Sequence, residues 1–85
     1  MKLTYGEIKT LFPKNSLTQV DNEVVIGFSR DSRQIKPGEI FVAIKGDKFD
    51  GHDFVKDVMK RGAAAALVDQ AVDLTRGVIT VPDVT

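Results

Sequence analysis

Hydrophobic positions near the amino terminus recur at helical spacing. Thr4 and Glu7 have the spacing of a capping box, which predicts a helix that begins at Tyr5. Pro13 ends this helix early, because the residue before a proline disfavours the helical conformation. The residues expected to face the core are Ile8, Leu11 and Phe12.

Three later runs of β-branched and aromatic residues predict strands. They are residues 24–28, 40–44 and 78–81. Pro37 and Gly38 suit the two central positions of a type II turn, and this turn leads into the second run. We expect the second run to form a central strand, and Pro82 to close the last one.

A helix and a further strand are predicted between the second and third runs. Apolar residues recur at helical spacing from Phe54 to Met59, with Asp53 as the expected N-cap and Gly62 as the terminating residue. The alanine-rich run 63–68 follows at once, and a strand, helix and strand within about thirty residues predict a βαβ unit. The predicted fold is therefore a small single α/β domain, with a mixed or parallel sheet and helices packed on it.

Composition and charge narrow the class of protein. The hydrophobic content of 42% and the charged content of 28% are typical of a folded globular domain. Twelve basic and twelve acidic residues leave no net charge, which argues against a nucleic-acid partner. The chain has no cysteine, which excludes disulfides and a cysteine-based zinc site.

The first residues and the longest apolar stretch of the chain indicate where the protein is located in the cell. The first residues lack the apolar run of a secretory signal, and residues 63–68 are far shorter than the roughly twenty residues that span a bilayer. We therefore expect a cytoplasmic protein without membrane insertion. The chain stops after the last predicted strand, so we also expect it to be part of a larger protein.

Polar residues follow the first predicted strand, and such strand ends are where open α/β sheets bind ligands. The candidate residues are Arg30, Asp31, Ser32 and Arg33. Two guanidinium groups and a hydroxyl suit a nucleotide diphosphate. The same four residues are equally compatible with a solvated turn held by local salt bridges.

The second candidate loop, residues 46–52, follows the second predicted strand. Its two glycines allow backbone N–H groups to turn toward an anion, and Lys48 adds a positive charge. Phe49 is a candidate for stacking on a base, although a core position is the more common role for such a residue. His52 is the only histidine, so a loop-bracing role is favoured over metal binding. No catalytic motif is found, and no catalytic residue is predicted.

The order of these segments resembles the amino-terminal domain of the Mur ligase family. The resemblance is carried by Asp31-Ser32-Arg33-x-x-x-Pro37-Gly38-x-Ile40-Phe41-Val42-Ala43, by Gly46-x-x-x-Asp50-Gly51-His52-Asp53-Phe54 and by Gly62-Ala63-Ala64-Ala65-Ala66-Leu67-Val68. Family members join an amino acid or dipeptide to a UDP-N-acetylmuramoyl-peptide, and the first domain holds the UDP end.

The resemblance also assigns roles to residues. It implies substrate-binding roles for Arg30, Ser32, Asp47, Lys48 and Phe49. Loop-bracing roles are expected for Asp31, Arg33, Asp50 and His52. Ser32 is the leading candidate, as a hydroxyl donor to the diphosphate, with the backbone N–H groups of Lys48 and Phe49 around the same anion.

The implied function is UDP-substrate binding by residues 1–85, as the first domain of a ligase of peptidoglycan synthesis. The motif is most similar to members that add D-alanyl-D-alanine, and members that add the third residue of the peptide are the alternative. A docking or folding module that binds no nucleotide is a third possibility. ATP and magnesium are expected only in the rest of the ligase chain, beyond Thr85, so the isolated domain is expected to be inactive and to need no cofactor.

Overall fold

The computed structural model describes residues 2–46 and 50–82 of the chain. A four-stranded sheet has the order β1-β2-β3-β4, and each neighbouring pair is parallel. The strands are β1 (Phe28–Ser29), β2 (Ile40–Val42), β3 (Ala65–Val68) and β4 (Val78–Thr80). The helices are α1 (Tyr5–Leu11), a 3₁₀ helix (Gly51–Phe54) and α2 (Val55–Lys60). The predicted α/β class is confirmed.

The capping box at the start of α1 is present. The Thr4 hydroxyl accepts the Glu7 backbone N–H at 3.3 Å, and the Glu7 carboxylate accepts the Thr4 N–H at 3.0 Å. The predicted core position of Leu11 is wrong, since this residue is 67% exposed. The inward face follows the spacing of Tyr5, Ile8 and Phe12, which turns position 11 toward solvent.

The strand predicted over residues 24–28 is largely absent. Only Phe28 belongs to β1, and Ile26 is 74% exposed. The preceding residues pair elsewhere, because Val25 donates its N–H to Leu3 at 2.8 Å and Val24 forms an antiparallel bridge with Thr4. The segment is therefore held by the residues before α1 and enters the sheet only at its end.

The predicted βαβ unit is confirmed by β2, α2 and β3. Pro37 and Gly38 form the expected turn, in which Gly38 has a φ of 88° and Glu39 donates its N–H to Lys36 at 3.1 Å. Gly62 follows α2 with a φ of 104°, as expected of a helix-terminating glycine. Asp53 does not cap α2, because it lies within the 3₁₀ helix that precedes α2, and the N-cap of that 3₁₀ helix is Asp50.

Hydrophobic clusters cover both faces of the sheet, because neighbouring residues of a strand point to opposite sides. On one face, Phe41 of β2 packs with Val55 and Val58 of α2. On the other face, Ile40 packs in the cluster that includes Tyr5 and Ile8 of α1. The sheet is thus an inner layer between two helical layers, and its carboxyl edge stays open for loops.

Candidate functional site

Two loops meet at the carboxyl ends of β1 and β2. Because these neighbouring strands are parallel, the residues after Ser29 and those after Val42 emerge at the same edge of the sheet. A cavity of about 490 Å³ lies between them. Its lining residues are Arg30, Asp31, Ser32, Arg33, Phe41, Ile44, Gly46, Gly51 and Phe54. The volume is in the range of small-molecule sites.

The turn over residues 30–33 is held by its own side chains. The Ser29 hydroxyl accepts the Asp31 N–H at 3.2 Å, and Asp31 Oδ1 accepts the Arg33 N–H at 2.9 Å. The Arg33 backbone N–H is the main reason that the pKa of the Asp31 carboxyl lies below its ordinary value. Asp31 therefore stays ionised at neutral pH and fixes the turn that carries Ser32.

Arg61, at the carboxyl end of α2, also holds the turn over residues 30–33. Arg61 donates from Nη2 to the Ser32 carbonyl oxygen, and it also pairs with Asp57 at 2.9 Å. Twenty-nine residues separate Arg61 from Ser32, so no local pattern in the sequence indicates this contact. It results from the packing of α2 beside the turn.

The second loop is closed at its base by backbone contacts. Gly51 donates its N–H to the Ile44 carbonyl at 2.8 Å, and Lys45 and Asp50 form an antiparallel bridge. Gly46 and Gly51, on either side of residues 47–49, both line the cavity. The residues predicted to contact substrate here, Asp47, Lys48 and Phe49, lie outside the described residues.

Asp50 and His52 connect this loop to the end of β3. Asp50 Oδ1 accepts the His52 backbone N–H at 3.0 Å and lies 2.6 Å from His52 Nδ1, while Asp50 Oδ2 accepts an N–H of Gln70 at 3.0 Å. On the other side of the ring, His52 Nε2 faces the Asp69 N–H at 3.3 Å. His52 Nε2 also lies 3.2 Å from Asp69 Oδ1, so the ring is placed between the carboxylates of Asp50 and Asp69.

The histidine ring is well enclosed, with a side chain only 4% exposed. Hydrogen bonds from His52, first from its backbone N–H, hold the pKa of the Asp50 carboxyl below its ordinary value. Among residues 2–46 and 50–82, no group of three His, Cys, Asp or Glu residues has an arrangement that could hold a metal ion. Within the same ranges, no helix is long and apolar enough to cross a membrane.

The electrostatic character of the cavity sets it apart from a second, wider groove beside α1. That groove is bordered by two carboxylates, Glu7 and Asp21, and its described lining includes no Lys or Arg. The cavity at the strand ends is lined by two guanidinium groups, one hydroxyl and one carboxylate, that of Asp31, so its described lining carries a net positive charge. An anionic ligand therefore fits the cavity between the loops better than the groove beside α1.

The sequence pattern missed Phe54 as a residue of the cavity. Helical spacing predicted a core position for it, together with Val55 and Val58. The structure places it at the end of the 3₁₀ helix, where it is 36% exposed and lines the cavity. Its position three residues after Gly51, at the end of the loop, is the only local signal for this role.

A family model and curated relatives match most of the chain. The model described as "Mur ligase family, catalytic domain" matches residues 25–84. The UDP-N-acetylmuramoyl-L-alanyl-D-glutamate–2,6-diaminopimelate ligase of Aquifex aeolicus is 36% identical over 75 residues, which are 84% of this chain and 16% of the relative. The UDP-N-acetylmuramoyl-tripeptide–D-alanyl-D-alanine ligase of Bacillus subtilis is 37% identical over 54 residues, which are 64% of this chain and 12% of the relative.

A solved structure agrees with these matches. The crystal structure of MurF from Acinetobacter baumannii superposes with a TM-score of 0.75 and 26% identity, over 98% of this chain and 18% of that one. The chain thus spans less than a fifth of the length of these three proteins.

Proposed function

Because the chain belongs to the Mur ligase family, we propose that it binds the UDP end of a UDP-N-acetylmuramoyl-peptide for an ATP-dependent ligase of peptidoglycan synthesis. One observation carries this proposal. The turn at residues 30–33 and both described ends of the loop at residues 46–51 border the same cavity of about 490 Å³.

The groups on the cavity walls suit a diphosphate. Arg30 supplies a guanidinium group, and Ser32 supplies a hydroxyl that can donate to a phosphate oxygen. Arg33 pairs with Asp31 at 3.4 Å and is proposed to brace the turn. Asp31 and Arg61 hold the turn through hydrogen bonds to backbone groups. No hydrogen bond among the described residues uses the Ser32 hydroxyl, so this hydroxyl can donate to a ligand. Asp47, Lys48 and Phe49 remain proposed substrate contacts, and Asp50 and His52 are proposed to brace their loop.

Binding, rather than ligation, is proposed for the chain by itself. Its relatives are five or more times longer, and remote binding of the uridine end can help to hold the reacting carboxylate in place elsewhere in a ligase. The proposed partners are the UDP-N-acetylmuramoyl-peptide and the remainder of a ligase, and the proposed location is the cytoplasm. ATP and magnesium are proposed to act outside this domain.

For the substrate of the ligase, we propose the addition of D-alanyl-D-alanine. The run from Phe49 to Phe54 and the helix-led start support this choice, as does the superposition on MurF. Addition of the third residue of the peptide is the second candidate, favoured by the longer match to the diaminopimelate ligase of Aquifex aeolicus. The sequence that follows Thr85 in the gene separates the two, through the pocket for the incoming amino acid or dipeptide.

Calorimetric titration with a UDP-N-acetylmuramoyl-peptide tests the proposed binding. Ser32→Ala removes one hydrogen bond to a charged group, so we expect the affinity to fall by roughly tenfold to a hundredfold. The matched control is Thr18→Ala, which removes an exposed hydroxyl outside the cavity and is expected to leave the affinity unchanged. Equal affinities for the wild type and Ser32→Ala contradict the role of Ser32. Absence of binding to the wild type favours a docking or folding module.

A further inference from the structure

Strand β3 ends beside the second loop of the cavity. Because β2 and β3 are parallel neighbours, the residues that follow them emerge at the same edge of the sheet. The first two residues after β3 are Asp69 and Gln70, and both contact the second loop. Their partners there, His52 and Asp50, lie 17 and 20 residues earlier in the chain. A third strand end therefore supports a loop whose glycines line the cavity.

Asp69 and Gln70 hold Asp50 by two routes. Gln70 donates a side-chain N–H directly to Asp50 Oδ2 at 3.0 Å. Asp69 acts through the ring of His52, because Asp69 Oδ1 lies 3.2 Å from Nε2 while Asp50 Oδ1 lies 2.6 Å from Nδ1. The side chain of His52 is buried, and polar atoms in such a place need partners. The ring is thus fixed at both of its nitrogens.

The ring of His52 is connected to the wall of the cavity through Gly51. This glycine lines the cavity and lies between Asp50 and His52 in the chain. Asp50 Oδ1 accepts the His52 backbone N–H at 3.0 Å, so the network closes around Gly51. Gly51 in turn donates its N–H to the carbonyl of Ile44, which also lines the cavity. A change in the position of the ring is therefore transmitted to this wall, although Asp69 is not among the residues that line the cavity.

We propose that Asp69 is a positioning residue of the ligand site, which fixes the cavity wall at Gly51 through the ring of His52. This inference rests on the proposed function and adds to it a residue that lies outside the cavity. Asp69→Ala removes the oxygen beside Nε2 and leaves the buried ring with a weaker hold on that side. The affinity for UDP is expected to fall by roughly fivefold to tenfold, as the loss of about one hydrogen bond does.

Calorimetric titration with UDP measures this loss, and two further variants control for it. Asp73→Ala removes a carboxylate that follows β3 and pairs with Lys56 on the exposed surface, so it is expected to keep the wild-type affinity. Asp69→Asn keeps an oxygen that can accept a hydrogen bond from Nε2, so it is expected to retain most of the affinity. Thermal unfolding of each variant identifies any loss of binding that is caused by a loss of structure.

A double-mutant cycle tests whether Asp69 acts through the ring of His52. In a chain that already carries His52→Gln, the addition of Asp69→Ala is expected to cause no further loss of UDP affinity. The ring can also be observed directly, because His52 is the only histidine and its two nitrogens give a single pair of resonances. Asp69→Ala is expected to shift these resonances, and Asp73→Ala is expected to leave them unchanged.

The results distinguish this inference from the proposed function. If the wild type binds UDP and Asp69→Ala binds it equally well, Asp69 does not position the site, and the proposed function stands. If Asp69→Ala weakens UDP binding to the same degree with and without His52, the route through the ring is wrong. If the wild type binds no UDP at millimolar concentration, both the inference and the proposed function are overturned.

Discussion

Gly51 determines how closely the second loop approaches β2's end. A Cβ atom at this position would lie 2.7 Å from the Ile44 nitrogen and 2.9 Å from the Ile44 oxygen, which are backbone atoms that cannot rotate away. Gly51→Ala is therefore expected to lower the free energy of unfolding by about 1–3 kcal/mol, as overpacking of a tight site does. Urea denaturation measures this change.

Gly27 provides the control for this substitution. A Cβ there would meet Glu39 Oε2 at 3.3 Å, and this atom is the end of a flexible side chain that can move. Gly27→Ala is expected to have a clearly smaller effect than Gly51→Ala. Equal stabilities of the two variants would show that the loop adjusts without cost.

The carboxyl of Asp50 is expected to make the stability of the fold depend on pH in the acid range. Its pKa is lowered in the folded chain, chiefly by the His52 backbone N–H, from an ordinary value of 3.8. A carboxyl of this kind stabilises the fold at pH above its ordinary value, and the contribution is lost as the pH falls through the folded value. Asp50→Asn is therefore expected to be less stable at neutral pH and to lose less stability between about pH 5 and pH 2.

Chemical denaturation at a series of pH values checks the prediction for Asp50. Asp53→Asn is the control, because Asp53 is an exposed neighbour that does not cap a helix through its side chain. Its pH profile is expected to follow the wild type. A profile of Asp50→Asn parallel to the wild type would mean that other carboxyls account for the acid dependence. Asp31 and Asp73, which pairs with Lys56 at 2.7 Å, are two such carboxyls with a lowered pKa.

The stability of helix α1 depends on the capping box at its start. It has only seven residues, and its capping box satisfies N–H groups that the short helix cannot satisfy internally. Thr4→Ala is expected to lower the free energy of unfolding by about 1 kcal/mol. Thr10→Ala in the same helix, where the hydroxyl bonds only to the Gly6 carbonyl, is expected to change it by less. Thermal or urea unfolding measures the stability of both variants. Equal losses would show that the capping hydroxyl of Thr4 contributes no more than the hydroxyl of Thr10.

The elements predicted correctly are those with strong local patterns. The capping box defines the start of α1, and the turn at Pro37 and Gly38 defines the entry to β2. The segment before β1 was predicted wrongly because its apolar residues are typical of a strand in the sheet. Its actual pairing is with Leu3 and Thr4, which lie about twenty residues earlier in the sequence. The role of Asp50 as N-cap of the 3₁₀ helix was missed for a similar reason. Its hydrogen bonds with His52 are completed by Gln70 and Asp69, which lie far away in sequence.

For the molecule as a whole, the parallel sheet explains why two separate loops share one cavity. Strands β1 and β2 are neighbours, and both run toward the same edge. The positions of Arg30 and Ser32 at a strand end could be predicted from sequence, because a strand and a following polar turn are local features. The contributions of Phe54 and Arg61 could not, since the first depends on where the 3₁₀ helix ends and the second on how α2 packs beside the turn.

The most direct test is a titration of the isotope-labelled chain with UDP, followed through the backbone amide resonances. If the two loops form one diphosphate site, the largest shifts are expected together at residues 30–33 and at residues 44–54. Small shifts are expected at the groove beside α1, whose lining includes Glu7 and Asp21. Shifts confined to one loop, shifts centred on that groove, or no shifts at millimolar UDP would contradict the shared site.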